Sequence, residues 1–321
     1  MKDRRQRIAK FVLDDFISKD PAMRSCLALA REAANTDIPI LLEGETGTGK
    51  TLLAQAIHNS SQRAAEPFVS FNSSAMTDTL LESQLFGHEK GAFTGATNQF
   101  RGKFEVAHEG TMFFDEIADM SPMAQAKILR AIEYGQFERL GAEVTHYADV
   151  RIISATNRPL RQLTRDREFR EDLYHRLNGL TLVLPPLRQR REDLDGLIAG
   201  ELNRTAAAAG KTISGIDPDA LDRLKSYEWP GNLRELHRVI QAVVLFTTGD
   251  IVMPEHVILD DQRGSAGNRA PPGADSDDLT LETAVRQHCQ YVYGLTGNNK
   301  RKTARVLGIS RSTLERKLDP E

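Results

Sequence analysis

Cysteine is nearly absent from this chain. Cys26 and Cys289 are the two in 321 residues, far apart and in unlike surroundings. Neither a disulfide framework nor a zinc-ligand spacing can be built from them. Long apolar runs are missing too: there is no 18-residue hydrophobic stretch, and the Met-Lys-Asp-Arg-Arg start leads into no secretory core. The expectation is a soluble, cytoplasmic protein with no membrane partner. Excess charge of one sign is also lacking, since 42 basic residues face 45 acidic ones for a net charge of -3. The average argues neither for nor against nucleic acid. No internal repeat is visible.

What is present is unevenly placed. Between Lys300 and Lys317 lie seven basic residues and one acid, Glu315, whereas Asp275 to Asp278 is acidic. A basic module behind an acidic segment points to a local electrostatic footprint for DNA. Hydrophobic residues make up 40% of the chain, enough for one large core and one or two small satellites.

Five short apolar runs read as strands: Ile38–Leu42, Phe68–Phe71, Thr111–Phe114, Val150–Ser154 and Leu180–Leu184. Near-continuous apolarity is the pattern of strands covered on both faces. Helical patterns separate several of them, including Pro21–Ala34, Leu52–Ser60 and Met123–Tyr134, which predicts a three-layer α/β domain. From Glu192 to about Leu259 the pattern is helical, with helices at Asp193–Ala207, Asp217–Lys225 and Asn232–Phe246, as in a small lid over a nucleotide site. Residues 261–278 carry Gly264, Gly267, Pro271, Pro272, Gly273 and four acids, and read as a flexible linker. The expected organisation is a lead-in at 1–16, an α/β subdomain at 17–188, a helical lid at 189–260, the linker at 261–278 and a helical module at 279–321.

Gly44-Glu45-Thr46-Gly47-Thr48-Gly49-Lys50-Thr51 fits the eight-residue phosphate-loop pattern and lies between an apolar strand and a helix. There, backbone N–H groups cradle phosphate, Lys50 supplies charge to the β- and γ-phosphates and Thr51 offers a hydroxyl to magnesium. ATP and Mg2+ are the implied cofactors. Phe113-Phe114-Asp115-Glu116 ends a strand in two carboxylates. Asp115 can hold the magnesium and Glu116 can polarise the attacking water. Asn72 and Asn157 each follow a strand and could contact the γ-phosphate or the water; residue chemistry alone fits a cap or turn as well.

With these motifs in place, the sequence resembles the sigma-54-dependent activators, the bacterial enhancer-binding proteins of the AAA+ ATPases. The resemblance covers about residues 16–260 and 279–319. Its most specific segment is Gly91-Ala92-Phe93-Thr94-Gly95-Ala96, which matches the family's signature loop at every position. By resemblance this loop projects from a ring pore and touches sigma-54, chiefly through Phe93 and Thr94. From residue types alone, a mobile tip and a simple turn with a buried Phe are equally open. Phe169 to Asn178 matches the segment that carries trans-acting arginines, so the resemblance makes Arg170 and Arg176 the groups that reach a neighbouring subunit's ATP. Trp229 to Leu236 matches the lid's sensor motif and makes Arg234 a nucleotide contact in cis.

The sequence departs from the family at a few places. Thr51 replaces the usual Glu, Ser73 the usual Cys, and Glu109-Gly110 a Gly-Gly pair; before Pro21-Ala22-Met23 stands Ser18-Lys19-Asp20 in place of the usual glycine and serine. Only about 16 residues precede the ATPase region, which fits control by a regulatory protein in trans, control by expression, or a piece of a longer chain.

The last module reads as a helix from Leu281 to Tyr293, a break at Gly297-Asn298-Asn299, a helix from Lys300 to Leu307, a turn at Gly308, and a helix from Arg311 to Leu318 capped by Ser310. That is a helix-turn-helix, resembling the Fis-type domain. Ala304, Leu307, Ile309 and Leu314 are the expected core. Arg311, Ser312, Thr313, Glu315 and Arg316 are expected at the major groove or its flanking phosphates, and Lys300, Arg301 and Lys302 on phosphates.

Together these features predict an activator that binds enhancer-like double-stranded DNA as a dimer, assembles into a ring, expected as a hexamer, and uses Mg-dependent ATP hydrolysis to remodel the sigma-54 RNA polymerase closed complex. Two readings compete: a DNA-bound repressor or scaffold that binds ATP without hydrolysis, and an AAA+ remodeller of another protein or DNA partner. The intact Lys50, Asp115, Glu116, Arg170 and Arg176 set weighs against the first, and the Gly91–Ala96 loop against the second.

Overall fold

The computed structural model describes residues 11–73, 77–259, 289–290, 293, 300–307 and 310–318. The chain divides into two units, residues 1–257 and 258–321. In the first, the elements run α1 (Pro21–Ala34), β1 (Ile40–Glu43), α2 (Lys50–Asn59), β2 (Phe68–Asn72), α3 (Asp78–Phe86), β3 (Gly87–His88), β4 (Phe100–Arg101), α4 (Lys103–Val106) and β5 (Thr111–Asp115). They continue with α5 (Pro122–Tyr134), β6 (Gln136–Glu138), β7 (Thr145–Tyr147), β8 (Arg151–Thr156), α6 (Leu160–Arg165), α7 (Glu171–Leu177) and β9 (Leu180–Val183). The lid adds α8 (Leu194–Ala208), β10 (Gly215–Ile216), α9 (Pro218–Ser226), α10 (Asn232–Phe246) and β11 (Ile251–Val252).

Five of the strands form one parallel sheet in the order β2–β5–β8–β1–β9. Successive side chains on a strand point to opposite faces, and both faces are covered. Leu41, Met112, Phe114 and Ile152 pack on one side with α5 and α7 residues such as Ile128 and Leu173. Ile40, Leu42, Phe113 and Ile153 pack on the other with Leu27, Leu53 and Ile57 from α1 and α2. This two-sided burial is why the strand sequences are apolar throughout rather than alternating. β1 starts two residues later than the sequence suggests. Ile38 is exposed, and Pro39, which has no N–H to pair, stands just before the strand and accepts a bond from Leu180 N.

Helix ends follow local chemistry. The Asp20 carboxylate accepts from Met23 N at 2.7 Å and Pro21 occupies the first turn of α1. At the other end of α1 the buried Arg151 guanidinium donates to the Ala33 and Ala34 carbonyls at 2.7 and 2.8 Å, a cation where the helix dipole favours one. α5 is capped by Ser121, which accepts from Ala124 N, and closes on Gly135 at φ 67°. Burial pushes the Cys26 thiol of α1 up to about 11, so it is chemically inert.

One expectation needs correcting. The lead-in is shorter than residues 1–16. From Phe11 onward the chain is packed: Leu13 is buried, Phe11 and Phe16 meet edge to face, and Asn59 and Ser60 at the end of α2 bond Phe11 O and Leu13 N. Its aromatic and aliphatic side chains outweigh its charges. The three helices expected in the lid are present, and β10 and β11 add a parallel pair of two residues each. Such short strands lie below what periodicity can register. Residues 1–10 and the 261–278 linker lie outside the described residues.

The second unit has a small buried cluster of Cys289, Ala304 and Leu314, with Leu318 against it. Ser310 Oγ accepts from Thr313 N at 3.1 Å and caps the helix Arg311–Leu318. Of the expected core, Ala304 and Leu314 are buried. The Leu307 side chain, Ile309 and most of the Leu281–Tyr293 helix lie outside the described residues.

Trp229, the single tryptophan, is fully buried in the lid and donates its indole N–H to Leu224 O at 3.0 Å. Its emission therefore reports the lid. Truncating the buried Leu224 to Ala should cost about 2–5 kcal/mol of lid stability, seen as an earlier Trp229 transition in urea; an unchanged midpoint would contradict this packing.

Candidate functional site

Because the sheet is parallel and its strands are paired level, the C-terminal ends of β1, β2, β5 and β8 share one edge. In open α/β sheets this is where ligands sit. Four candidates fall there by register: Gly44 after β1, Asn72 ending β2 opposite Asp115, Asp115 ending β5, and Asn157 after β8.

The segment Gly44–Thr51 turns from β1 into α2, so the first N–H groups of a ten-residue helix face the turn. Gly47 has φ +82°, and a Cβ there would lie 2.4 Å from Gly231 O, so only glycine lets the lid backbone come this close. The nearly buried Lys50 ammonium donates to the Gly44 and Glu45 carbonyls at 2.8 and 3.2 Å. Burial pulls its pKa down, opposed by Glu116 and Asp115, so the charge is held over the loop by two carboxylates. Thr51 Oγ1 lies 3.4 Å from Asp115 Oδ2. A hydroxyl and a carboxylate this close, beside a helix N-terminus, suit the hard oxygen coordination of a magnesium ion.

Glu116 stands in the left-handed region at φ 52°, ψ 50°, a conformation that costs a non-glycine residue about 1–3 kcal/mol. Ser73 holds it there. The buried Ser73 hydroxyl lies 3.0 Å from Asp115 O and 2.7 Å from Glu116 O, and Ser73 N donates to Asp115 O. Glu116 Oε2 accepts from Asn157 N at 3.3 Å, and Asn157 Nδ2 donates to Thr46 Oγ1 at 3.1 Å. Burial raises the Glu116 carboxyl above its ordinary value, Lys50 opposes this and Asp115 adds to it. A carboxylate poised this way suits proton acceptance from water.

Arg234 of α10 lies beside the loop, its Cβ 3.2 Å from the position a Gly47 Cβ would take. Arg170 and Arg176 are elsewhere. Both are exposed; Arg170 forms a two-point pair with Asp172, and Arg176 donates to Glu133 O at 3.2 Å. Arg176 sits on α7 and Arg170 at its N-terminal edge, where the buried Gln125 accepts Arg170 N at 2.8 Å and donates to the Met120 and Glu168 carbonyls. Sequence reasoning passed over Gln125, whose polar side chain inside an apolar helix face was the available signal. It also passed over Arg190, which is buried and donates to Thr48 O at 3.1 Å. The Glu45 carboxylate is paired with Arg188.

The loop 91–96 lies between β3 and β4, which pair antiparallel. Gly91 and Gly95 have φ +84° and +104° with open space around them, and Gly91 N donates to Ala96 O at 2.8 Å. Thr94 is exposed, while Phe93 is half-buried, edge-on to His88 at 5.0 Å. The β6–β7 hairpin supports it: Glu89 N donates to Leu140 O, and Arg139 bridges Glu89 and Glu105 at 2.8 Å each. A cavity of about 380 Å³ opens beneath Ala92, floored by Phe86 and Phe137.

In the second unit, Arg301 and Arg311 are exposed and Lys300 and Thr313 half-buried. The side chains of Lys302, Ser312, Glu315 and Arg316 lie outside the described residues.

A phosphate loop with a strand-end acid pair and a helical lid defines a P-loop ATPase of the AAA+ class. The comparisons place it further. Residues 16–183 match the family described as the sigma-54 interaction domain, 188–272 the AAA+ ATPase lid domain, and 295–319 the bacterial regulatory proteins of the Fis family. The chain is 43% identical over 302 residues to the transcriptional regulatory protein ZraR of Klebsiella oxytoca, covering 94% of this chain and 68% of that protein. It is 41% identical to the Nif-specific regulatory protein of Klebsiella pneumoniae, covering 94% of this chain and 57% of that one. The crystal structure of NtrX from Brucella abortus in complex with ATP superposes with a TM-score of 0.73 at 33% identity, over 95% of this chain and 68% of NtrX. The chain belongs to the sigma-54 activator family and is an AAA+ ATPase with a Fis-type helix-turn-helix. It spans 57% to 68% of the length of these relatives. Among the described residues no helix is long and apolar enough to cross a membrane.

Three outcomes are expected at and around the acid pair. Glu116→Gln should lower kcat by about 10²–10⁴-fold, and Ser73→Ala by about tenfold with little change in KM, the size of one lost hydrogen bond. Because Glu116 must be ionised to act as a base and its pKa is raised, steady-state turnover should fall with decreasing pH through a midpoint above the ordinary 4.5. Full turnover in Glu116→Gln would remove the base assignment.

Proposed function

We propose that this protein activates transcription by coupling ATP hydrolysis in a ring to the opening of the sigma-54 RNA polymerase closed complex at enhancer-tethered promoters. The observation that carries this is the Gly91–Ala96 loop, presented on a β3–β4 hairpin by the same subdomain that bears the phosphate loop. An ATPase with no partner to push has no use for a glycine-hinged tip that exposes Thr94 and only half-covers Phe93.

In this reading, Gly44–Thr51 cradles the triphosphate, Lys50 and Arg234 neutralise it, and Asn72 and Asn157 sense the γ-phosphate. Thr51 and Asp115 hold a magnesium ion, which would supply charge neutralisation at the phosphates. Glu116 takes the proton of the attacking water as it meets the γ-phosphorus. Arg170 and Arg176, exposed on the flank of the subdomain, serve the ATP of the adjacent subunit. A guanidinium stays charged and matches the phosphoryl oxygens, and its delivery in trans makes hydrolysis conditional on ring assembly. A hexamer is the assembly proposed. Phe93 and Thr94 engage sigma-54.

The helix-turn-helix of residues 279–321 binds enhancer DNA as a dimer, in the cytoplasm. Ser310 caps the helix Arg311–Leu318; in this reading Arg311, Ser312, Thr313, Glu315 and Arg316 serve the groove or its flanking phosphates, and Lys300, Arg301 and Lys302 serve phosphate. The proposed boundaries are 11–188 for the α/β subdomain, 189–260 for the lid and 261–278 for the linker.

The test is binding to purified sigma-54 with ADP and aluminium fluoride present. Wild type should form a complex that Phe93→Ala loses; no complex from an active ATPase would transfer the function to another remodelled partner. Fluorescence anisotropy on enhancer DNA should show binding lost on removal of residues 279–321. Arg170→Ala should lower turnover by about 10³-fold or more while sparing ATP binding. Retained turnover would move the trans contact elsewhere.

A further inference from the structure

Glu45 is out of place in a phosphate cradle, because a carboxylate there repels a polyphosphate unless it is neutralised. The structure shows what neutralises it. Arg188, at the junction to the lid, grips both carboxylate oxygens, at 2.7 and 2.5 Å. Asn232, at the first position of α10, donates from one Nδ2 to Glu45 Oε2 at 3.2 Å and to Thr46 O at 3.1 Å, and its Oδ1 accepts Leu187 N at 2.7 Å. Asn232 is fully buried and held at φ 52°, a left-handed conformation that asparagine tolerates better than most residues. Two more bonds continue the line: Leu233 N donates to Gly47 O at 3.0 Å, and Arg190 Nη2 donates to Thr48 O at 3.1 Å. Each of four consecutive loop residues, 45 to 48, is thus held by the lid or its junction.

We propose that Glu45 is a positioning residue that latches the lid to the phosphate loop, so that the Arg188–Glu45–Asn232 cluster sets the rate of nucleotide release. The inference rests on the reading of Gly44–Thr51 as the nucleotide cradle. It explains a second contact. Lys50 donates to the Glu45 carbonyl, so phosphate oxygens compete for the same ammonium and nucleotide occupancy acts directly on the residue that carries the latch. The Arg188 guanidinium holds the Glu45 carboxyl at about 2, below its ordinary 4.5. The pair is therefore fully present above 4.5 and is lost only as pH falls toward 2, leaving it intact throughout any physiological assay.

The test uses the full chain and a fluorescent ADP, with release followed by stopped flow and affinity by titration. Glu45→Gln should speed release about three- to tenfold, the scale of a half-exposed bidentate pair. Arg188→Ala should speed release similarly and also weaken affinity, because it leaves the carboxylate unpaired beside the phosphates. Adding Glu45→Gln to Arg188→Ala should then recover affinity, a non-additivity that a purely structural role would not produce. Arg188→Lys keeps the charge but loses the fork, and should restore affinity without restoring slow release. If Arg188→Ala does not fold, Glu45→Gln and Arg188→Lys carry the test. Unchanged release in these variants, or strictly additive effects, overturns the latch. Undiminished ADP binding in Lys50→Ala would overturn the cradle itself and the latch with it, a failure distinct from the first.

Discussion

Level pairing of parallel strands is the constraint from which the site follows. Asn72 is opposite Asp115, and Glu43 opposite Thr156, because the β2–β5 and β1–β8 ladders are in that register. A slip of one residue of β5 against β2 would turn Met112 and Phe114 to the wrong face, and one of β1 against β8 would shift the loop relative to the acid pair. The two apolar clusters covering the sheet fix the register, and the register fixes the distance between phosphate loop and carboxylates. Core and catalysis are therefore one requirement. The same burial that holds Phe113 against α1 and α2 holds Asp115, two residues on, beside Thr51.

Around that edge the chain tolerates local costs that a purely structural turn would avoid. Glu116 is left-handed without being glycine, and Lys50 is nearly buried with its charge balanced by groups that must themselves stay ionised. These costs are offset by specific bonds, the Ser73 hydroxyl on the acid pair's carbonyls and the Gly44 and Glu45 carbonyls on the ammonium. Preorganisation of this kind is useful where charge develops during phosphoryl transfer, because no reorientation is then needed at the moment of reaction.

The parts legible in the sequence were those with short-range signals. Five apolar runs gave five strands, helix α1 was bounded by Asp20-Pro21 at one end, and the phosphate loop was recognisable from eight contiguous residues. The illegible parts depend on contacts between residues far apart in the chain. Arg188 meets Glu45 across 143 positions and Arg190 meets Thr48 across 142, and nothing in either neighbourhood announces its partner. The β10–β11 pair is too short to show a period, and the packing of residues 11–16 was masked by the charged residues before it. The resemblance supplied roles for Arg170, Arg176 and Phe93 that residue chemistry alone left open. What the structure adds is their support, in Gln125 behind Arg170 and His88 beneath Phe93.

The route from the site to the loop can be traced along the backbone. β2 ends at Asn72, and after residues 74–76 the chain enters α3, which runs directly into β3 at the base of the loop. β5 ends at Asp115, and the chain passes through α5 into the β6–β7 hairpin, whose Leu140 and Arg139 hold Glu89. Both strand ends at the site edge thus lead through one helix each to the same six residues. The two helices are tied to each other, by Ser121 to Asp78 at 2.5 Å near their N-termini and by Lys127 to Glu82 a turn or more further on. Helices resist axial compression and packed interfaces shift between discrete arrangements rather than deform smoothly. In the proposed function, a change in spacing between Asn72 and Glu116 would reach the loop through α3 and α5 acting as a tied pair. Gly91 and Gly95, at positive φ with open space around them, and the cavity lined by Ala92 lie where the loop meets this pair.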